Sequence, residues 1–191
     1  MTAAVRILGI DPGLTRCGVG VIDLAAGRRV SLVSVDVYRS LPSAALQERI
    51  GTIGAQIEAL IAETKPNVIA LERVYADVNV RSVMGTAQIS GVVLLLAHRY
   101  GIPLAMHTPT EVKAAVTGSG RADKAQVGNM VARILGLAEI PKPADAADSL
   151  AIAICHAWRG AGATDTGSGS LSPAQQAWHA AERAAAIKRE G

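Results

Sequence analysis

Two acidic residues stand where strand ends could bring their carboxylates together. Asp11 follows the apolar run Val5 to Ile10, and Glu72 ends a second run that begins at Asn67. Both runs have the composition of strands in an α/β sheet, where the carboxyl ends of parallel strands lie at one edge. An acid at a strand end can also be part of a turn, so each residue alone is weak support for a site. Together they predict a pair of carboxylates at one sheet edge.

Two further acids lie three residues apart in the run Ala144 to Ala151. Asp145 and Asp148 fall on one face of a predicted helix because residues at this spacing are neighbours on a helix surface. Acids in a first turn also suit the helix dipole, which explains one such residue more easily than two. Like charges about 4 Å apart cost roughly 4 kcal/mol at an effective dielectric near 20. Four gathered carboxylates would therefore require a cation.

The ligand types indicate which cation and which chemistry. A site of carboxylates without histidine or thiolate ligands suits Mg²⁺, or Mn²⁺ in its place. Two such ions about 4 Å apart stabilise the attacking and leaving oxygens of an in-line phosphoryl displacement, as in phosphodiester hydrolysis. Basic residues between the acids could hold a phosphate backbone, although each alone could be a solvated surface charge: Arg73, Arg81, Lys113, Arg121, Lys124 and Lys142. Binding to DNA would then weaken steeply with salt.

The predicted elements form a mixed α/β sheet with helices on its faces. Three strands separated by glycine-containing turns predict a meander: Val5 to Ile10, Cys17 to Leu24 and Val30 to Tyr38. Further strands are expected at 67–72 and 104–107. Helical spacing and capping signals predict five helices, at 46–65, 80–100, 108–117, 123–137 and 144–158.

Composition limits the class of protein. The 191 residues predict one domain over 1–159, followed by a flexible Gly/Ser linker and an Ala-rich tail over 160–191. An apolar content of 50% argues against disorder, and a net charge of +3 permits nucleic acid without requiring it. No signal peptide or membrane-spanning run is found, so we expect a cytoplasmic protein. Cys17 and Cys155 are expected to be buried reduced thiols.

Four segments resemble, in order and spacing, those of the bacterial RuvC Holliday-junction resolvases. They are Ile10 to Gly13, Leu71 to Tyr75, Gly118 to Gly120 leading to Lys124, and Ala144 to Ala151. The resemblance covers roughly residues 5 to 158. It implies a ribonuclease-H-like fold, a homodimer, and Mg²⁺-dependent symmetrical nicking of four-way junctions in recombination and repair. It also implies partnership with the RuvA-RuvB branch-migration complex.

The resemblance also implies roles for individual residues. The metal-binding catalytic acids would be Asp11, Glu72, Asp145 and Asp148. Lys113 and Lys124 resemble the family's DNA-contacting lysines, while Arg73, Arg81 and Arg121 are candidate DNA contacts from their charge and position alone. Tyr75 stands where the family often has Phe, and it could stack on an unpaired base with about 1–3 kcal/mol. Its alternative interpretation is a half-buried aromatic residue of a loop.

The long helix at 80–100 offers a candidate dimer surface. Met84, Gln88, Gly91 and Leu95 recur at spacings of four, three and four, and the small residue permits close helix approach. A dimer with two-fold symmetry would match a junction that needs two cuts. The alternative is that this stripe packs on the protein's own sheet.

Other functions are compatible with parts of the sequence. The segment Asp11 to Thr15, with Gly18 and Gly20, resembles the phosphate loop of actin-like ATPases and sugar kinases, but those proteins need two such domains. A related nuclease acting on RNA or on other branched DNA remains an alternative, as does a non-catalytic DNA-binding module. His107 and His156 could assist proton transfer, although a structural role is expected for both.

Overall fold

A computed structural model of the chain describes residues 4–73 and 80–159. Its five strands form one sheet in the order β3-β2-β1-β4-β5. The strands are β1 Val5–Asp11, β2 Arg16–Leu24, β3 Val30–Arg39, β4 Val68–Glu72 and β5 Leu104–His107. The first three pair antiparallel as a meander, and β4 and β5 run parallel to β1. The predicted mixed sheet is confirmed.

Five α-helices flank this sheet, as the sequence predicts. They are α1 Leu46–Thr64, α2 Val80–Arg99, α3 Pro109–Thr117, α4 Lys124–Leu135 and α5 Ala144–Arg159. The predicted ends agree to within two residues, and both ends of α4 shift for local reasons. Asp123 caps α4 instead of joining it, because its carboxylate accepts a hydrogen bond from the backbone N–H of Gln126. The helix ends at Leu135 because Gly136 takes a left-handed conformation with φ of 66°.

The two faces of the sheet carry separate aliphatic cores. The helices α1 and α2 cover one face, where Ile53, Ile57 and Ile89 pack on Leu8 and Ile10. The helices α3, α4 and α5 cover the other, and nearly all of α5 after its first turn is buried. A chain without Phe fills both cores with Ile, Leu, Val and Ala.

Glycines allow α5 to lie directly on β1 and β2. A Cβ at Gly9 would collide with the Ser149 carbonyl oxygen, and one at Gly18 would collide with the Asp145 carbonyl oxygen. A Cβ at Gly20 would come within 2.8 Å of Leu150 Cδ2. The absence of these side chains thus sets the distance between the sheet and the first turns of α5.

The stripe on α2 faces away from the sheet. Met84 is 54% exposed and Leu95 57% exposed, whereas Ile89 and Val93 of the same helix are fully buried. The alternative that the stripe packs on its own sheet is therefore wrong. Cys17 and Cys155 are buried and free, as predicted.

Some predictions fall outside the described residues. The linker and tail predicted over 160–191 lie there, as does Tyr75. In the described part of the chain, no helix has the length and apolar character needed to cross a bilayer.

Candidate active site

Asp11 and Glu72 meet at one edge of the sheet. Asp11 is the last residue of β1, and Glu72 is the last residue of β4. The two strands are parallel neighbours, with Ile10 opposite Leu71. Their carboxyl ends therefore present both acids side by side, as the sequence predicts.

The other two acids reach this edge from above the sheet. Asp145 and Asp148 lie in the first turns of α5, and the Asp145 backbone rests on Gly18 of β2. Gly18 pairs with Asp11 in the β1–β2 ladder. Sheet register and close helix packing together bring the helix acids to the strand acids.

Three of the four acids line a cleft of about 280 Å³. Asp11, Glu72 and Asp148 share it with Lys113 and Lys124. Apolar side chains complete its walls, among them Val112, Val127 and Ile152. Asp145 does not line this cleft. The cleft combines acidic and basic groups with apolar walls, an arrangement suited to holding an anionic substrate beside a cation.

Two salt bridges hold the helix acids. Lys124 Nζ lies 3.1 Å from Asp148 Oδ2, and Arg16 Nε lies 3.1 Å from Asp145 Oδ2. Both cations are largely exposed, and Arg16 was not among the predicted site residues. Its role depends on the approach of α5 to β2, which local sequence does not reveal. In each bridge the cation contacts the Oδ2 atom of its aspartate.

The strand acids have no comparable partner among the described residues. Burial, followed by the charges of Glu72, Asp148 and Asp145, raises the pKa of Asp11 to about 8, against the opposing charge of Lys124. Burial and the Asp148 charge likewise raise the pKa of Glu72, which Lys113 and Lys124 oppose. The raised pKa of both groups thus reflects burial first and the neighbouring carboxylates second, and the lysines offset only part of the two effects.

The donor set fits a hard divalent cation in chemistry and in charge. Its four carboxylates provide oxygen ligands, and the negative charges of Glu72, Asp148 and Asp145 around Asp11 favour an additional positive charge there. Across residues 4–73 and 80–159, however, no three His, Cys, Asp or Glu side chains are placed to hold a metal as they stand. Binding would require the side chains to regroup, including release of Asp148 by Lys124.

Two capped helices position the lysines. The Thr108 hydroxyl accepts from the Glu111 amide while the Glu111 carboxylate accepts from the Thr108 amide, so α3 begins where the sequence predicts. Asp123 and Gln126 form the same reciprocal pair at the start of α4. Lys124 is the first residue of α4, and its cap fixes the direction from which it enters the cleft.

The remaining predicted DNA contacts do not line the cleft or lie outside the described residues. The Arg73 amide donates to the His107 carbonyl oxygen at 2.8 Å, which continues the strand pairing past Glu72. Arg121 is exposed in a different groove, which Ser119 and Gln126 also line. The side chain of Arg81, like Tyr75, lies outside the described part of the chain.

The two histidines form a buried pair away from the cleft lining. His107 Nε2 and His156 Nδ1 are 3.1 Å apart, which connects β5 to α5. Burial and the neighbouring His156 lower the pKa of His107 to about 4. A neutral buried pair that joins a strand to a helix fits the expected structural role.

Comparison with known proteins gives consistent matches. The model of a family described as "Crossover junction endodeoxyribonuclease RuvC" matches residues 7–156. A protein of that name from Leifsonia xyli is 54% identical over 195 residues, covering 95% of this chain and 94% of the relative. Another from Streptomyces griseus is 60% identical over 154 residues, covering 81% of this chain and 76% of that relative.

Solved structures give a similar result. The structure of Thermus thermophilus RuvC in complex with a Holliday junction substrate matches with a TM-score of 0.77 and 34% identity, covering 81% of this chain and 94% of that chain. The structure of a yeast mitochondrial Holliday junction resolvase matches with a TM-score of 0.59 and 15% identity, covering 81% of this chain and 80% of that chain. At this identity the match shows a shared fold alone.

Proposed function

This chain belongs to the RuvC family of crossover junction endodeoxyribonucleases, and we propose that it resolves Holliday junctions at the cleft between β1, β4 and α5. The family makes it a hydrolase that acts on DNA. We propose paired, symmetrical nicks in four-way junctions during homologous recombination and repair. The observation that carries the proposal is the cleft in which Asp11, Glu72 and Asp148 face Lys113 and Lys124.

The four acids are proposed to be the catalytic metal ligands: Asp11, Glu72, Asp145 and Asp148. Two bound Mg²⁺ ions, or Mn²⁺ in their place, would stabilise the attacking and leaving oxygens of the phosphodiester. Asp11 must lose its proton before its carboxylate can serve as a ligand, because its pKa is raised to about 8. Glu72 ends the neighbouring strand, so it can hold the same edge of the site from the other side.

The lysines are proposed to hold the phosphate that is cut. Lys113 and Lys124 line the cleft with the acids, and an ammonium group is a compact donor for phosphate oxygens. Lys124 binds Asp148 at 3.1 Å, so it must exchange this partner for a phosphate when DNA enters. The apolar walls at Val112 and Ile152 reduce the water around these charges and strengthen their interactions.

Cleavage of a synthetic four-way junction tests this function. The junction is incubated beside a linear duplex of the same sequence, first with Mg²⁺ and then with EDTA. We expect paired nicks at symmetrical positions in the junction alone, and none in EDTA. Equal cutting of the duplex, or activity that survives the chelator, would contradict the proposal.

We also propose a homodimer joined through α2. Met84, Gly91 and Leu95 are exposed along one side of this helix, and two copies of the site would supply the two cuts. Sedimentation at micromolar concentration is expected to show a dimer. A monomer under these conditions would contradict the interface.

The remaining proposals come from the sequence and, for Tyr75 and RuvA-RuvB, from family membership. The DNA contacts would extend to Arg73, Tyr75, Arg81 and Arg121, with Tyr75 stacking on an unpaired base. The nuclease would occupy residues 1–159, act in the cytoplasm and cooperate with the RuvA-RuvB branch-migration complex.

A further inference from the structure

A second groove opens beside the active site, at one end of the β2–β3 hairpin. Its volume is about 460 Å³. We name it the arginine groove, and its lining residues are Thr15, Arg16, Arg39, Ser40, Leu41 and Pro42. Arg16 connects it to the catalytic acids through its 3.1 Å contact with Asp145. Arg16 therefore links the arginine groove to the first turn of α5, and Asp148, three residues further along that helix, lines the acidic cleft.

Two arginines at this groove face each other across the hairpin. Arg16 begins β2, Arg39 ends β3, and the two are direct partners in the antiparallel register. Like charges at directly opposite positions destabilise a sheet. In the described part of the chain, Arg39 forms no salt bridge with an acid, and both side chains are exposed. A pair that is unfavourable for folding is well placed to bind an anion between its members.

A third arginine fixes the shape of the groove. Arg49 of α1 donates to Thr15 Oγ1 at 2.8 Å and to Ser40 Oγ at 3.1 Å. The Ser40 hydroxyl in turn donates to the Leu14 carbonyl oxygen. These bonds join the turn after β1 to the residue after β3, so the groove is supported from both sides of the hairpin. The three arginines carry three positive charges, and in these contacts only the carboxylate of Asp145 opposes them.

We propose that the arginine groove binds a phosphate of the DNA backbone next to the one held in the cleft. This inference rests on the proposed function, because it assumes that a DNA strand occupies the cleft. The groove lies toward β3 and the cleft toward β4, on either side of the end of β1. Neighbouring strands are about 4.8 Å apart, so the end of β3 lies roughly 10 Å from that of β1. A strand that leaves the cleft on this side passes within reach of Arg16 and Arg39.

The groove has the chemistry of a phosphate site. Guanidinium groups bind phosphate through two parallel hydrogen bonds and remain charged at any physiological pH. The hydroxyl of Thr15 adds a possible donor at its rim. Glu48, the acid nearest to Arg49 in sequence, forms no salt bridge with these arginines in the described residues. The local charge therefore favours an anionic partner.

The Arg39→Gln variant tests the groove without changing an active-site contact. Its matched control is Arg29→Gln, because Arg29 is also exposed but lies at the far end of the same hairpin. Junction affinity is measured by fluorescence anisotropy in EDTA at 50 to 200 mM salt. We expect Arg39→Gln to weaken binding about 5- to 10-fold and to reduce the slope of log affinity against log salt by about one. Arg29→Gln should match the parent, and Arg39→Lys should recover part of the loss.

Two further readouts separate the possible failures. Thermal unfolding should show Arg39→Gln at least as stable as the parent, because the substitution removes a like-charge pair. Equal affinity and equal salt slope for Arg39→Gln, Arg29→Gln and the parent would overturn the groove. If the parent binds the junction but does not cut it with Mg²⁺, the proposed function fails while the binding comparison still decides the groove. A parent that binds no DNA would overturn both.

Discussion

The strand pair of acids, Asp11 and Glu72, differs from the helix pair, Asp145 and Asp148, in what neutralises its charge. Each member of the helix pair has a cation at 3.1 Å, and α5 directs its positive dipole end toward both. Among the described residues the strand pair has neither, and the pKa of both its members is raised. The chain itself supplies a cation to each helix acid, whereas the strand acids depend on the proposed metal ions for a matching positive charge.

This difference explains how the site can exist before metal or DNA arrives. Four ionised carboxylates without partners would strongly oppose folding. The salt bridges remove part of this repulsion, and protonation of Asp11 removes another part at neutral pH. Because Lys124 and Arg16 are both exposed, they can exchange a carboxylate for a phosphate without being pulled from a core.

Substitution within each pair is expected to have the largest effect. Glu72→Gln from the strand pair and either Asp145→Asn or Asp148→Asn from the helix pair should each lower junction cleavage at least about 1000-fold. Junction binding in EDTA should persist, because the basic residues hold the phosphates. Cleavage is followed in single-turnover gels and binding by anisotropy. A loss confined to one pair would show that only that pair holds the metal, and lost binding would show that the acids have another role.

Removing the cation of the helix pair should have the next largest effect. Lys124→Gln is expected to weaken junction binding about 10-fold, to reduce the salt slope by about one and to slow cleavage by a further factor of about 10. The control is Arg133→Gln, which removes an exposed charge near the other end of α4. If Lys124→Gln cleaves and binds like this control, the salt bridge to Asp148 has no part in DNA recognition.

Displacing the helix pair alone should have a moderate effect. In Gly18→Ala the new methyl group would collide with the Asp145 carbonyl oxygen and shift the start of α5, at a cost of about 1–3 kcal/mol in unfolding free energy. Cleavage should slow as well. Gly51→Ala is the control, because Gly51 lies in α1 with open space around it and should gain about 0.5–1 kcal/mol. Urea unfolding and cleavage rates check both variants, and full activity in Gly18→Ala would contradict the proposed dependence on helix position.

The smallest expected effect is on the pH dependence of the free energy of unfolding, to which Asp11 of the strand pair should contribute. A raised pKa means that folded Asp11 retains its proton between about pH 4 and pH 8 while the unfolded chain releases it, so the folded state loses stability as pH rises through this window. Asp11→Asn should remove this loss and exceed the parent by about 1 kcal/mol or more at pH 8, with little difference at pH 4. Urea unfolding in EDTA at both pH values measures it. Equal slopes for parent and variant would show that Asp11 is not the group responsible.

Local sequence predicted the parts of the site that depend on one element at a time. The end of an apolar strand located Asp11, the spacing on one helix face linked Asp145 to Asp148, and the capping box at Thr108 predicted the start of α3. Each of these signals consists of residues that are only a few positions apart along the chain. They placed Asp11 and Glu72 at one edge of the sheet, but the strand order that makes β1 and β4 neighbours came only from the structure.

The missed features depend on contacts between distant parts of the chain. Arg16 reaches Asp145 across 129 positions of sequence, and its pairing with Arg39 depends on the register of the hairpin. Arg49 supports the groove from a different helix. An arginine beside a turn has no local property that separates it from other surface charges. Only the assembled sheet and helices show that these three belong together.

The contact between α5 and the glycines has a consequence for how this site tolerates change. Gly9, Gly18 and Gly20 offer no functional group to substrate or metal, yet any side chain at these positions would meet the helix that holds two of the acids. At Gly9 and Gly18 the obstacle is the backbone of α5, so only glycine lets the helix lie at its present distance, whereas at Gly20 the obstacles are the side chains of Leu150 and Ser149. A side chain at Gly9 or Gly18 would therefore displace the two helix acids while leaving all four proposed catalytic residues unchanged.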